Sequence, residues 1–167
     1  MKQYCFDNSG FSNPFVQMPE DIYPSLWTQV SDVILSGHIA TTQEIYEEMC
    51  HIPGQFGDLI IKNRELIVLE VADITWDYRG YIEINKFLCT KYRNYISEYI
   101  SLGSENTICL NDMTVVALAK CLGLPLISME KSASNSTKRK RIPDICALEN
   151  ITHYDFNGFL KAAGIRI

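Results

Sequence analysis

Short apolar segments alternate along this chain with longer ones whose apolar residues recur every three or four positions. A short apolar run reads as a buried strand. Apolar residues on a period of about 3.6 mark a helix that packs one face. Gln3–Phe6, His38–Thr41 and Leu124–Ser128 read as strands, with a final strand over Ile165–Ile167. Helices are expected over Asp21–Ser36, Thr42–Met49, Phe56–Leu66, Tyr78–Ile100, Asp112–Leu122 and Asp155–Ala163. Ile22, Leu26, Val30, Val33 and Ile34 share one face of the first helix, and Gly37 stops it. Residues 11–19, with Pro14 and Pro19, read as a loop, Ile67–Val71 as strand or helix, and Lys131–Arg141 as a polar basic loop. This alternation predicts an α/β protein: a three-layer α/β/α sandwich around a mostly parallel sheet, in one domain over residues 1–167.

Ligands of such sheets bind beyond the carboxyl ends of the strands. Two short segments run into an acid there. Asp7 follows the first, in the turn-forming word Asp7-Asn8-Ser9-Gly10, and Glu130 follows the segment ending at Ser128. Glu44 and Glu48, four residues apart, share a helical face, Asp112 stands at the start of a later helix, and Asp144 follows the basic loop. Singly, each acid has an ordinary explanation as turn former, helix cap or solvated charge. Their order is what singles them out: an acid after the first strand, one on the helix after the second, one opening a later helix, one after the strand that helix leads into.

Charge is distributed unevenly. The net charge is −5, which argues against a general nucleic-acid coat. Residues 1–60 hold eight acids and one base, whereas Lys131, Lys138, Arg139, Lys140 and Arg141 crowd one late segment. An acidic first part and a basic late loop suit a site that takes cations and then phosphates. The six cysteines form no C-x-x-C pair and share no ligand spacing with His38, His51 or His153, so neither a zinc site nor a disulfide framework is expected. No apolar h-region follows the first residues and no apolar run approaches a membrane span, which predicts a cytoplasmic protein with reduced thiols.

The sequence resembles the PIN domain family. The matching words are Tyr4-Cys5-Phe6-Asp7-Asn8-Ser9, Thr42-Gln43-Glu44-Ile45-Tyr46-Glu47-Glu48-Met49, Asn111-Asp112-Met113-Thr114-Val115-Val116-Ala117-Leu118-Ala119 and Leu124-Pro125-Leu126-Ile127-Ser128-Met129-Glu130. A PIN-like subfamily of bacterial toxins, formerly a domain of unknown function, is similar also in Asp21-Ile22-Tyr23-Pro24-Ser25-Leu26-Trp27 and Ile142-Pro143-Asp144-Ile145-Cys146. The resemblance spans nearly the whole chain. It implies that Asp7, Glu48 and Asp112 are the first three acids of a catalytic metal site, with Glu130 or Asp144 as the fourth. It implies that Ser9 steadies the first acid. Asn8 departs from the threonine more common there. It implies an endoribonuclease and toxin of a type II toxin–antitoxin pair, whose antitoxin would join a helix-turn-helix protein to a zinc-peptidase-like domain. A homodimer is compatible with it, and Trp27 and exposed tyrosines are candidates for such an interface, core packing being the other explanation.

The chemistry suits the residues. Phosphodiester cleavage passes through a highly charged transition state that divalent cations neutralise, and Mg²⁺ or Mn²⁺ take hard oxygen ligands. Asp7, Glu48, Asp112 and Asp144 are the expected metal ligands, Glu130 a further catalytic acid, and Glu44 a supporting residue. Lys138, Arg139, Lys140 and Arg141 are placed to hold an RNA backbone, a solvated or antitoxin-docking loop being the alternative. The aromatic stripe of Tyr78–Ile100 reads as packing rather than as a base-stacking platform. A haloacid-dehalogenase phosphatase would need a second Asp where Ser9 stands, and no P-loop word occurs. The competing function is a non-catalytic PIN-like protein that binds RNA or a protein partner.

Overall fold

The structure, a computed structural model, describes residues 1–97, 107–134 and 136–166. Strand β1 (Tyr4–Phe6) lies between β2 (Ile39–Ala40) and β5 (Leu126–Ile127), and β6 (His153–Tyr154) flanks β5, giving the order β2-β1-β5-β6. Every pairing is parallel, with Cys5 opposite both Ala40 and Leu126, and Ile127 opposite both Phe6 and Tyr154. The expected α/β class, with a parallel sheet between helical layers, is what the chain adopts.

Successive side chains of a strand point to opposite faces. Tyr4 and Phe6 therefore share one face of β1, where both meet Phe159 edge-on at 5.2 and 4.8 Å. An aromatic layer continues there through α1 (Ser9–Gln17), α2 (Pro24–Leu35), α4 (Gly54–Lys62) and α8 (Phe156–Ala162), carried by Phe11, Phe15, Trp27, Phe56 and Phe156. Cys5 faces the other side, where α6 (Leu110–Leu122) packs on β1 and β5 with α3 (Gln43–Met49), α5 (Tyr78–Lys91) and α7 (Ile142–Leu148) against it. Trp27 is 1% exposed, so it is core and serves no interface. A separate parallel pair, β3 (Ile96–Ser97) and β4 (Ile108–Cys109), closes over the start of α6. Among the described residues no helix is long and apolar enough to cross a membrane.

Several expectations are corrected. Residues 9–17 are a helix rather than part of a loop: burying Phe11 and Phe15, four apart on one face, outweighs the single backbone bond that Pro14 removes. The helix expected to reach Ile100 ends at Lys91, and a 3-10 turn at Arg93–Tyr95 leads into β3; Tyr99 and Ile100 lie outside the described residues. Phe56–Leu66 is two pieces, α4 and a 3-10 turn at Arg64–Leu66. The first expected helix starts at Pro24, leaving Ile22 67% exposed rather than inward. In Ile67–Val71 only an isolated bridge forms, from Val68 to Thr41. Ile165 and Arg166 form no strand, Ile167 lies outside the described residues, and β6 takes the sheet edge.

Candidate active site

The sheet order reverses at β1, with β2 on one side and β5 on the other, so the crevice at the carboxyl ends of β1 and β5 is the topological switch point. Asp7 sits in it. Its backbone N–H donates to Ile127 O at 2.9 Å, which carries the ladder one residue past β1. Its side chain is buried, and Oδ2 accepts from Ser9 N at 3.0 Å and from the Ser9 hydroxyl. The same hydroxyl oxygen accepts from Met129 N at 3.0 Å. Ser9 thus joins the chain leaving β1 to the chain leaving β5 and fixes one Asp7 oxygen, the supporting role expected of it. Gly10 permits this closeness: a Cβ there would stand 3.0 Å from Ile127 O and from the Phe6 ring. Next to Asp7, the buried Asn8 Oδ1 has no partner among the described residues.

Burial, reinforced by the charges of Asp112 and Glu130, pushes the Asp7 carboxyl up to about 7, against the hydrogen bonds from Ser9 that pull it down. Asp112, which the sequence placed as helix opener, is the third residue of α6. Cys109 caps the helix, and Asp112 Oδ2 accepts the Cys109 N–H at 2.8 Å. Burial raises Asp112 as well. Glu130 is raised by burial and by Asp112, although Ile142 N donates to its Oε2 at 2.9 Å and Arg141 lies near enough to lower it. Glu48 is raised by burial and Asp112, with Asn111 Nδ2 donating to its Oε1 at 3.0 Å. Asp7, Glu48, Asp112 and Glu130 therefore form one electrostatically coupled set, and Asp144 reaches it through Glu130, which it also raises. Among the described residues, no three Asp, Glu, His or Cys side chains already stand close enough to grip an ion.

The remaining candidates have other partners. Asp144 is the third residue of α7 and accepts from Arg141 N at 2.8 Å, Ala133 N at 2.9 Å and the Ser132 hydroxyl. Burial alone would raise it, but these donors hold it below the usual carboxylate range. It clamps the two ends of the basic loop, whereas Glu130 is the acid that Asp7 feels. Glu44 is exposed, a helical turn from Glu48, and lines a neighbouring cavity. Lys138 and Arg139 are exposed on the loop, with their amides bonded to Ser136 Oγ. Lys140 is committed inward, to Ser136 O at 2.8 Å and over the Tyr95 ring.

One carboxylate that sequence reasoning missed is Glu149, just past α7. It pairs with Lys91 and Lys120, each at 2.6 Å, and accepts from the Tyr92 hydroxyl. No local pattern flags it, because its partners lie 29 to 58 residues away.

The fold and site define an α/β protein with an electrostatically coupled set of acids, Asp7 buried and Glu48, Asp112 and Glu130 partly buried, at the switch point of a parallel sheet. The family profile described as Domain of unknown function (DUF4411) matches residues 4–167, and the chain belongs to that family. A comparison with curated proteins finds no match.

Proposed function

We propose that this chain is a metal-dependent endoribonuclease of the PIN-like class, acting as the toxin of a type II toxin–antitoxin pair. The observation that carries the reading is Asp7: a buried carboxylate at the switch point, held near neutral titration by burial and by two neighbouring acids, with no cationic side chain among the causes of its shift. Stability alone does not call for such a set, and perturbed carboxylates in a crevice are functional candidates. The donor set fits a hard divalent cation such as Mg²⁺ or Mn²⁺, because every donor is oxygen and the buried, unpaired Asn8 Oδ1 adjoins Asp7. Asp7, Asp112 and Glu48 would hold it, with Glu130 as a further acid. The bound ion supplies charge neutralisation and a deprotonated water near neutral pH.

The chain's own residues do the rest. Ser9 holds one Asp7 oxygen through its amide and its hydroxyl. Asn111 fixes Glu48, and the Ile142 amide fixes Glu130. Glu130, raised by burial and by Asp112 and held by the Ile142 amide, is suited to accept a proton from the attacking water. Lys138 and Arg139 hold the RNA backbone at the rim, and Asp144 sets the loop that carries them. The second reading, a protein that only binds RNA or an antitoxin, draws on the open spacing of the acids.

Purified protein incubated with RNA and Mn²⁺ is expected to cleave it, to stop on adding chelator, and to lose cleavage as Asp7→Asn. Cleavage by Asp7→Asn at the parent rate overturns the nuclease reading. An inert parent that binds no divalent cation supports the binding one.

A further inference from the structure

A cavity of about 390 Å³ opens between the starts of α3 and α5 and the middle of α6, lined by Thr42 at the start of α3 and Thr114 of α6, the two helices that carry Glu48 and Asp112. The rings of Trp76, Tyr78 and Tyr81 wall one side, with Trp76 5.5 Å from each tyrosine, inclined 71° to Tyr78 and 47° to Tyr81. Trp76 is held in place by its Nε1 donating to Glu70 O at 2.9 Å. Tyr81 is core, but Tyr78 and Trp76 are half-buried, so two ring surfaces remain at the cavity. The stripe read as packing from sequence is therefore packing at Tyr81 and Leu88 and a cavity wall at its first turn. The volume lies within the range of small-ligand sites.

The rim charges exclude an anion site. Arg64 is neutralised by Glu70 and also donates to Gln43 Oε1 at 2.7 Å, and Glu44 adds a negative charge. What fits is a flat, neutral, heteroaromatic group that stacks on the rings and offers edge donors and acceptors to Asn85 and the threonine floor.

That floor is tied to the acids through Phe6 and Asn111. Thr41 Oγ1 donates to the carbonyl of Phe6, the residue before Asp7, at 2.7 Å. Thr42 Oγ1 bonds Thr114 Oγ1 at 2.8 Å, Thr114 Oγ1 donates to Asn111 O at 2.6 Å, and Asn111 holds Glu48 at 3.0 Å. A group seated in the cavity therefore touches the same hydrogen-bonded chain that positions Glu48.

We infer that the cavity is a subsite for one unpaired nucleobase of the RNA, stacked on Trp76 and Tyr78 while the adjoining phosphodiester lies at the acids. The inference rests on the nuclease reading. A base can enter only when it is out of a duplex stack, so the substrate is single-stranded or looped at the cut. Aromatic stacking tolerates every base, and selectivity among bases falls to the Asn85 and threonine edges.

The test needs no activity. In chelator, each of the four 5′-mononucleotides is titrated into the protein, with ribose 5-phosphate as the control, and tryptophan fluorescence is read. The other tryptophan, Trp27, is sealed in the core, so quenching reports Trp76. At least one mononucleotide is expected to quench and ribose 5-phosphate is not. By calorimetry, Tyr78→Ala and, independently, Asn85→Ala weaken that nucleotide by roughly tenfold. Silence of all four nucleotides at millimolar concentration, or equal quenching by ribose 5-phosphate, overturns the subsite. RNA cleavage without nucleotide quenching overturns the subsite alone. Quenching with RNA left intact in Mn²⁺ overturns the nuclease reading and keeps a nucleobase site.

Discussion

At the scale of single residues, the burial of Asp7 is costly when it is charged. Its carboxyl titrates near 7 in the fold against about 3.9 in an unfolded chain. Between those values the folded state binds the extra proton, so this group favours folding at low pH and opposes it as pH rises through 7. Asp7→Asn keeps the shape and an oxygen for Ser9 while removing the charge. In chelator at pH 8 the variant is expected to melt several degrees above the parent, with cleavage abolished. A lower melting temperature would mean that Asp7 serves packing rather than a ligand. Asp7 was legible in sequence because an acid after the first strand of a parallel sheet stands at the binding edge wherever the helices go. The choice between Glu130 and Asp144 was not legible. It depends on which backbone amides the loop turns inward, and the order of residues does not show that.

At the scale of elements, the basic loop is shaped by its two ends. Asp144 gathers Ser132, Ala133 and Arg141, and Ile142 at the start of α7 holds Glu130. Asp144→Ala removes the acceptor of the Arg141 N–H at the start of α7 and frees the loop. Its expected kinetic effect is a KM for RNA raised by roughly tenfold with kcat little changed, whereas Glu130→Gln lowers kcat. Steady-state kinetics on one RNA separates the two, and a kcat defect confined to Asp144→Ala would exchange their roles. Long periodic helices such as α2 and α6 were legible to within a few residues. Helix α1 was not, because Pro14 and Pro19 signal a break locally while Phe11 and Phe15 earn their burial only against Trp27 and Phe56, distant in sequence. Strand β6 is two residues long and gains its strand character from pairing with β5.

At the scale of the whole molecule, two kinds of carboxylate divide the work along the same helices. Asp112 and Asp144 stand at the starts of α6 and α7, while Lys120 and Glu149 stand at their ends, roughly 12 Å away along α6. At the starts, burial raises Asp112, while the amide and hydroxyl donors around Asp144 lower it. At the ends, burial would raise Glu149 too, but Lys120, Lys91 and Tyr92 overcome it and bring its carboxyl down to about 2. The sequence shows twenty acids without showing this split, because the split is made by which helix ends converge. Glu149 ties α5, α6 and α7 together on the face of the sheet away from the aromatic layer, and so steadies the helices whose other ends carry Asp112 and, through the Ile142 amide, hold Glu130. Its ordinary value is 4.5, so its contribution is fully present above that pH and is lost as pH falls toward 2. Glu149→Gln leaves two lysines without their acid. Both lysines are partly solvated, so the expected loss is about 1–3 kcal/mol at pH 7, below that of a fully buried pair. In urea melts from pH 7 to pH 3, the gap between parent and variant is expected to narrow steadily below pH 4.5, as Glu149 takes up its proton in the unfolded parent while the folded one stays ionised. A gap that stays constant over that range would show that Glu149 acts by shape and hydrogen bonding, not by charge, and that the helix ends are held together by packing alone.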